Sequence, residues 1–136
     1  MKKLFGLAMA VLCLSGCSND DGPSEPAVNL DHLQQRWFYV SYKLGNQTVD
    51  YTGNLPCGKD YIQFLAGNAV KDVDYYDCQE DPDVDEGTYT ATTEMLTTTI
   101  DGVTNTYTLK KLTNKDLEME ATLNGATVTY IYTSTP

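Results

Sequence analysis

The chain has 136 residues and a formal net charge of −10, with 9 Lys and Arg against 19 Asp and Glu. A single arginine, Arg36, and no basic cluster make nucleic acid and anionic headgroups poor partners for it. A single histidine, His32, leaves no nucleophile–base pair of the hydrolase kind, so no catalytic residues and no cofactor are expected.

Met1 to Gly16 reads as a secretory signal. Lys2 and Lys3 open it, and Leu4 to Leu14 is an apolar run too short to span a bilayer as a helix. Leu14-Ser15-Gly16-Cys17 resembles the lipobox of bacterial lipoproteins. That resemblance implies cleavage before Cys17 and acylation of this residue, an anchor of several chains that holds stably to a membrane. Ser18 next to the cysteine is similar to the outer-membrane type, and Asn19-Asp20-Asp21 resembles the surface-export tag of Bacteroidetes lipoproteins. Residues 17–27 otherwise lack the apolar content to bury a core and read as a tether. Residues 28–136 then form one domain. Losing Lys2 and Lys3 takes the charge from −10 to −12. Cys13 leaves with the signal and Cys17 is lipidated, so Cys57 and Cys78 remain, and in an oxidising envelope they are expected to pair. With one histidine, two thiols do not make a zinc site.

Val28 to Gln34 is expected to make a turn or two of helix over one end of the fold. From Arg36 onward helical periodicity gives way to short β-rich runs between turn signals, the pattern of an all-β sandwich or barrel. Arg36 to Leu44 is the first strand, apolar on both faces, so alternation does not reveal its inward side. Gly45-Asn46 turns the chain into a short strand, Gln47 to Tyr51.

Three hairpins follow, and each turn sets a register. Gly67-Asn68 as a type II′ pair places Ile62 opposite Val73 and Leu65 opposite Val70, with Cys57 and Cys78 facing each other at the base. Asp101-Gly102, a type I′ signal, places Leu96 opposite Tyr107 and Ile100 opposite Val103, with threonines on the other face. Asn124-Gly125 places Leu117, Met119, Ala121 and Leu123 on one face with Ala126, Val128, Tyr130 and Tyr132. Gly87 to Ala91 is a further strand between the first two hairpins. Eight or nine strands joined by tight turns describe an antiparallel up-and-down meander that removes its edges by closing into a barrel of about eight strands.

Leu33-x-x-x-Trp37, Cys57-x-x-x-Tyr61-Ile-Gln-Phe64 leading into the Gly67 turn, Cys78, and Gly87-Thr-Tyr89 before a hairpin meander resemble the lipocalin-like lipoproteins of Bacteroidetes. The resemblance implies a lipocalin-like barrel on the cell envelope, with Trp37 closing its narrow end and a hydrophobic or amphipathic ligand inside.

Two carboxylate groupings offer alternatives to plain solubility. Glu118 and Glu120 share the solvent face of one strand, where nothing raises a carboxyl pKa for acid–base work. Asp81, Asp83 and Asp85 resemble the start of a calcium loop. However, Glu86 and Thr92 stand where such a loop needs glycine and a bidentate glutamate, so the segment reads as a solvated acidic loop with no metal. Trp37, Tyr107, Met119, Tyr130 and Tyr132 are expected to line a ligand pocket. The leading expectation is thus a surface-exposed outer-membrane lipoprotein, held by its lipid anchor, that binds a small hydrophobic or amphipathic molecule. The alternative is a filled barrel acting as an interaction or accessory module for an envelope protein, through an exposed apolar patch around Phe38 and Val40.

Overall fold

A computed structural model describes residues 27–136; the signal segment, Cys17 and the tether up to residue 26 lie outside the described residues. Nine strands run in order: β1 Arg36–Leu44, β2 Gln47–Asp50, β3 Tyr61–Phe64, β4 Ala69–Asp74, β5 Asp83–Ala91, β6 Met95–Ile100, β7 Val103–Leu112, β8 Asp116–Leu123 and β9 Ala126–Thr133. All neighbours are antiparallel, and β1 pairs with β9 to close the sheet. Eight strands therefore make the barrel. The ninth, β2, lies beside the second half of β1 (Ser41 to Leu44), while β3 lies beside the first half (Arg36 to Phe38).

The two type I′ turns behave as their sequences demand. Asp101, Gly102, Asn124 and Gly125 all have positive φ, and the registers are Leu96 to Tyr107 and Leu117 to Tyr132. On the outer face of the second hairpin, threonine hydroxyls meet at 3.2 Å (Thr97–Thr106) and 2.9 Å (Thr99–Thr104). The first hairpin differs by one residue from the expected register. Phe64 faces Val70, and Ile62 faces Asp72 rather than Val73. The cause is the turn: Gly67 and Asn68 are both left-handed, at φ 73° and 62°, whereas a type II′ turn has positive φ at its first central residue only. The chain makes a single 3-10 turn, Ala66–Asn68, closed by Leu65 N–H to the Ala69 carbonyl at 2.8 Å. Cys57 and Cys78 are nevertheless bonded, with Cα atoms 5.5 Å apart, because both lie in loops beyond the strand ends that absorb the slip.

The first strand carries a β-bulge. Tyr39 pairs with Tyr132 and Ser41 with Ile131, leaving Val40 unpaired. Trp37 and Tyr39 point inward before the bulge, and Tyr42 and Leu44 after it. A second bulge between Leu109 and Lys111 does the same on β7, so Leu109 and Leu112 are both buried.

The core fills one end of the barrel. Trp37, Leu96, Leu112 and Leu117 are fully buried there with Phe64, Val70 and Met119. The N-terminal segment seals this end. Val28 bridges Leu112, whose N–H donates to the Ala27 carbonyl at 2.7 Å, and Trp37 Nε1–H donates to the Leu33 carbonyl at 3.0 Å. The expected helix is only one 3-10 turn, Leu30–His32, capped by the Asn29 side chain accepting from Asp31 N–H.

Outside, Phe38, Tyr61, Val73 and Val84 form one cross-strand row, with the Arg36 guanidinium 4.8 Å from the Tyr61 ring centre. Val40, at the bulge, is exposed beside this row.

Candidate ligand-binding site

The open end of the barrel lies opposite Trp37. Running outward, β1 ends at Leu44, β4 at Asp74, β6 at Ile100 and β8 at Leu123, while β5 and β9 start there at Asp83 and Ala126. An open-mouthed cavity of about 420 Å³ occupies this end, lined by Tyr42, Leu44, Leu123, Ala126, Val128 and Tyr130. All six are inward-facing by register: Tyr42 faces Tyr130, Leu44 faces Val128, and Leu123 faces Ala126. The volume falls within the range of small-molecule sites. Leu44 and Leu123 stand at the rim, 41% and 46% exposed, where a buried core would have hidden them.

Below the cavity lies a layer of tyrosines. Tyr107 meets Tyr130 edge-on at 6.1 Å, and Tyr39 packs on Tyr132 at 4.8 Å and stacks on Tyr51 at 5.0 Å. Burial raises the hydroxyl pKa of Tyr39, Tyr132 and Tyr107, so these groups stay neutral donors. Tyr39 donates to Asp72 Oδ1 at 2.9 Å. Burial pushes the Asp72 carboxyl up to about 6, against the lowering effect of that hydrogen bond and with the charges of Asp74 and Asp85 adding to the rise.

Asp72 and Asp74 share the inward face of β4 and meet Asp85 and Asp83 of β5 directly across the ladder. Asp83 and Asp85, expected in a solvated loop, are therefore strand residues: β5 begins four positions before the expected Gly87. The outward partner of this segment explains the extension, since Lys71 Nζ binds Glu86 at 2.6 Å and Val73 covers Val84. Burial raises the Asp74 pKa, with Asp60 and Asp83 adding charge; Asp101 is the main cause of the rise at Asp85. Among the described residues, no three carboxylate, histidine or cysteine side chains gather so as to hold a metal ion.

The loop joining β2 to β3 borders the mouth. Asp60 is buried and accepts from Tyr75 N–H at 2.7 Å and from Tyr51 Oη at 2.5 Å, while its N–H donates to Asn54 Oδ1 at 3.0 Å. Together with the disulfide, these contacts join the two loops beside the opening.

Of the five residues expected to line a pocket, Tyr130 does so and Tyr107 lies against it. Trp37 and Met119 sit in the sealed core, and Tyr132 lies between, 5% exposed and covered by Tyr39. Leu123, Ala126 and Val128 were legible as one face of the third hairpin. Tyr42 and Leu44 were hidden by the bulge.

This geometry defines a lipocalin-like fold, a closed eight-stranded antiparallel barrel with one extra strand. Solved structures agree. A lipocalin-like protein from Bacteroides uniformis superposes with a TM-score of 0.59 at 10% identity, over 76% of this chain and 98% of the other. An uncharacterized protein from Bacteroides eggerthii superposes with a TM-score of 0.56 at 11% identity, over 75% and 98%. No protein-family model matches the chain, and no curated protein matches it.

Proposed function

We propose that the barrel binds a small apolar or amphipathic molecule in its open mouth, as a non-catalytic carrier or receptor. The observation that carries this reading is the 420 Å³ cavity with six inward, mostly apolar lining residues. A barrel of eight strands has room for side chains or for one small ligand, and here the side chains fill only the Trp37 end. Two measurements test it. Native mass spectrometry of protein purified from its own cells should find a co-purifying small molecule. A neutral naphthylamine dye should brighten on binding, and Leu44→Asp with Leu123→Asp should abolish the signal. Both residues are rim-exposed, so the fold tolerates the change; a dye response unchanged in the double variant refutes the site.

The protein works, in this proposal, as an outer-membrane lipoprotein tethered through Cys17 with the barrel outside the cytoplasm. The lipobox-like Leu14-Ser15-Gly16-Cys17 and the Cys57–Cys78 bond, at home in an oxidising compartment, support it. Labelled palmitate should enter the wild-type chain in its host and not the Cys17→Ser variant; an unlabelled wild type would dismiss the anchor.

The exposed Val40 and Val84, which flank the outer row of Phe38 and Tyr61, favour a second reading, an accessory module that docks on an envelope protein. Crosslinking from position 84 in intact cells tests it, and the absence of any crosslinked protein argues against it.

A further inference from the structure

The cavity wall is built from two inward rows that cross β8, β9, β1 and β2. Deeper in, Tyr130 lies opposite Met119 on one side and Tyr42 on the other, and Tyr42 lies opposite Val49. Nearer the mouth, Val128 lies opposite Ala121 and Leu44, and Leu44 opposite Gln47. Val49, at the free end of the deeper row, is 38% exposed, so the apolar surface continues past β1. The outer row between these two carries the charges: Glu120 and Lys43 both lie opposite Thr129, on the far side of the sheet. Asp50, opposite Ser41, faces outward as well. The six residues that line the cavity include no carboxylate, ammonium or guanidinium group.

A charged group pressed on this wall would lose its water and gain no partner. The polar atoms on offer are neutral ones, the hydroxyls of Tyr42 and Tyr130 and, at the rim, the Gln47 amide. The shape of the wall adds a second constraint. Its rows stand about 7 Å apart along the strands and run about 14 Å across them, broader than a single alkyl chain. Tyr130 is braced edge-on by Tyr107 at 6.1 Å, and rings favour such edge and offset contacts with further rings. We infer that the ligand is an uncharged molecule built on a ring system, with hydroxyl or carbonyl oxygens for the tyrosine hydroxyls, and that the site rejects ionised amphiphiles such as fatty acids. This rests on the reading of the cavity as a ligand site and adds the charge and shape of what enters it.

Four probes test the inference by titration calorimetry: naphthalenemethanol, naphthoate, naphthylmethylammonium and octanol. The first three share a ring and differ in charge, and octanol is a neutral open chain. Naphthalenemethanol should bind at least roughly tenfold tighter than either ion and roughly threefold or more tighter than octanol. Tyr130→Leu should remove the advantage over octanol while octanol still binds, which also reports a folded site. Leu44→Lys, at an exposed rim position, should tighten naphthoate roughly fivefold or more, a gain that fades as salt rises and that unfolding cannot imitate. Either ion binding as tightly as naphthalenemethanol in the wild type, or no gain for naphthoate in Leu44→Lys, overturns the assignment of an uncharged ligand. Octanol binding as tightly as naphthalenemethanol overturns the ring. Each of these results leaves the cavity reading standing, whereas binding of none of the four overturns that reading too.

Discussion

Replacing Asp72 by Asn should stabilise the protein at neutral pH and leave it almost unchanged in acid. The folded chain holds the Asp72 proton more tightly than the unfolded chain, because the carboxyl rises from the ordinary 3.8 to about 6 through burial and the nearby charges of Asp74 and Asp85. A raised acid contributes stability that is complete below its unfolded value and disappears as pH climbs from 3.8 through about 6. That interval corresponds to at most about 3 kcal/mol, and water at the open mouth should reduce it to about 1–2 kcal/mol. Asn keeps the shape and can still accept the Tyr39 hydroxyl, so the variant removes only the charge. Urea unfolding followed by Trp37 fluorescence is well suited, since the one tryptophan is fully buried. The variant should unfold about 1–2 kcal/mol later than the parent at pH 7 and within about 0.5 kcal/mol of it at pH 4. The carboxylates that do not interact with Asp72 cancel in the difference. A variant no more stable at pH 7, or a gain that does not change with pH, would refute the assignment of Asp72 as a strained interior charge.

Three further outcomes are expected. Converting Cys57 and Cys78 to Ser frees a 22-residue loop and should cost about 3 kcal/mol in chain entropy, seen as an earlier urea midpoint; an unmoved midpoint contradicts it. Gly87→Ala should cost about 2 kcal/mol or more, because its Cβ would collide with the Thr99 carbonyl oxygen of the paired strand; a melting temperature equal to the parent's rules this out. Trp37→Phe loses both volume and the donor to the Leu33 carbonyl and should cost about 2–3 kcal/mol by urea unfolding followed by circular dichroism, since the variant lacks the fluorescent probe, whereas a loss below about 0.5 kcal/mol means the sealed end is loosely packed.

What was readable in the chain followed the strength of its local rules. Asp101-Gly102 and Asn124-Gly125 permit few turn geometries, and the strands around them alternate cleanly, so the β6–β7 and β8–β9 registers are legible residue for residue. Gly67-Asn68 permits several turns, and the one adopted moved the first hairpin by a position. The disulfide did not correct this, since loops on both sides leave the sulfurs slack. Asp83 to Glu86 read as loop because aspartate is a poor strand former. Pairing with β4, through Lys71–Glu86 and Val73–Val84, overrides that preference. The site suffered most. Tyr42 and Leu44 face inward only because of the bulge at Val40, and no pattern within Arg36 to Leu44 announces it. Aromatic content pointed instead to Trp37 and Met119, which pack the sealed end.

That bulge makes the lining of the mouth a matter of pairing as well as of residue choice. Were Val40 taken into the ladder opposite Ile131, then without a single replacement Ser41 and Lys43 would turn toward the lumen while Tyr42 and Leu44 turned out to water. One unpaired position on the first strand thus decides which half of its outer stretch meets the cavity.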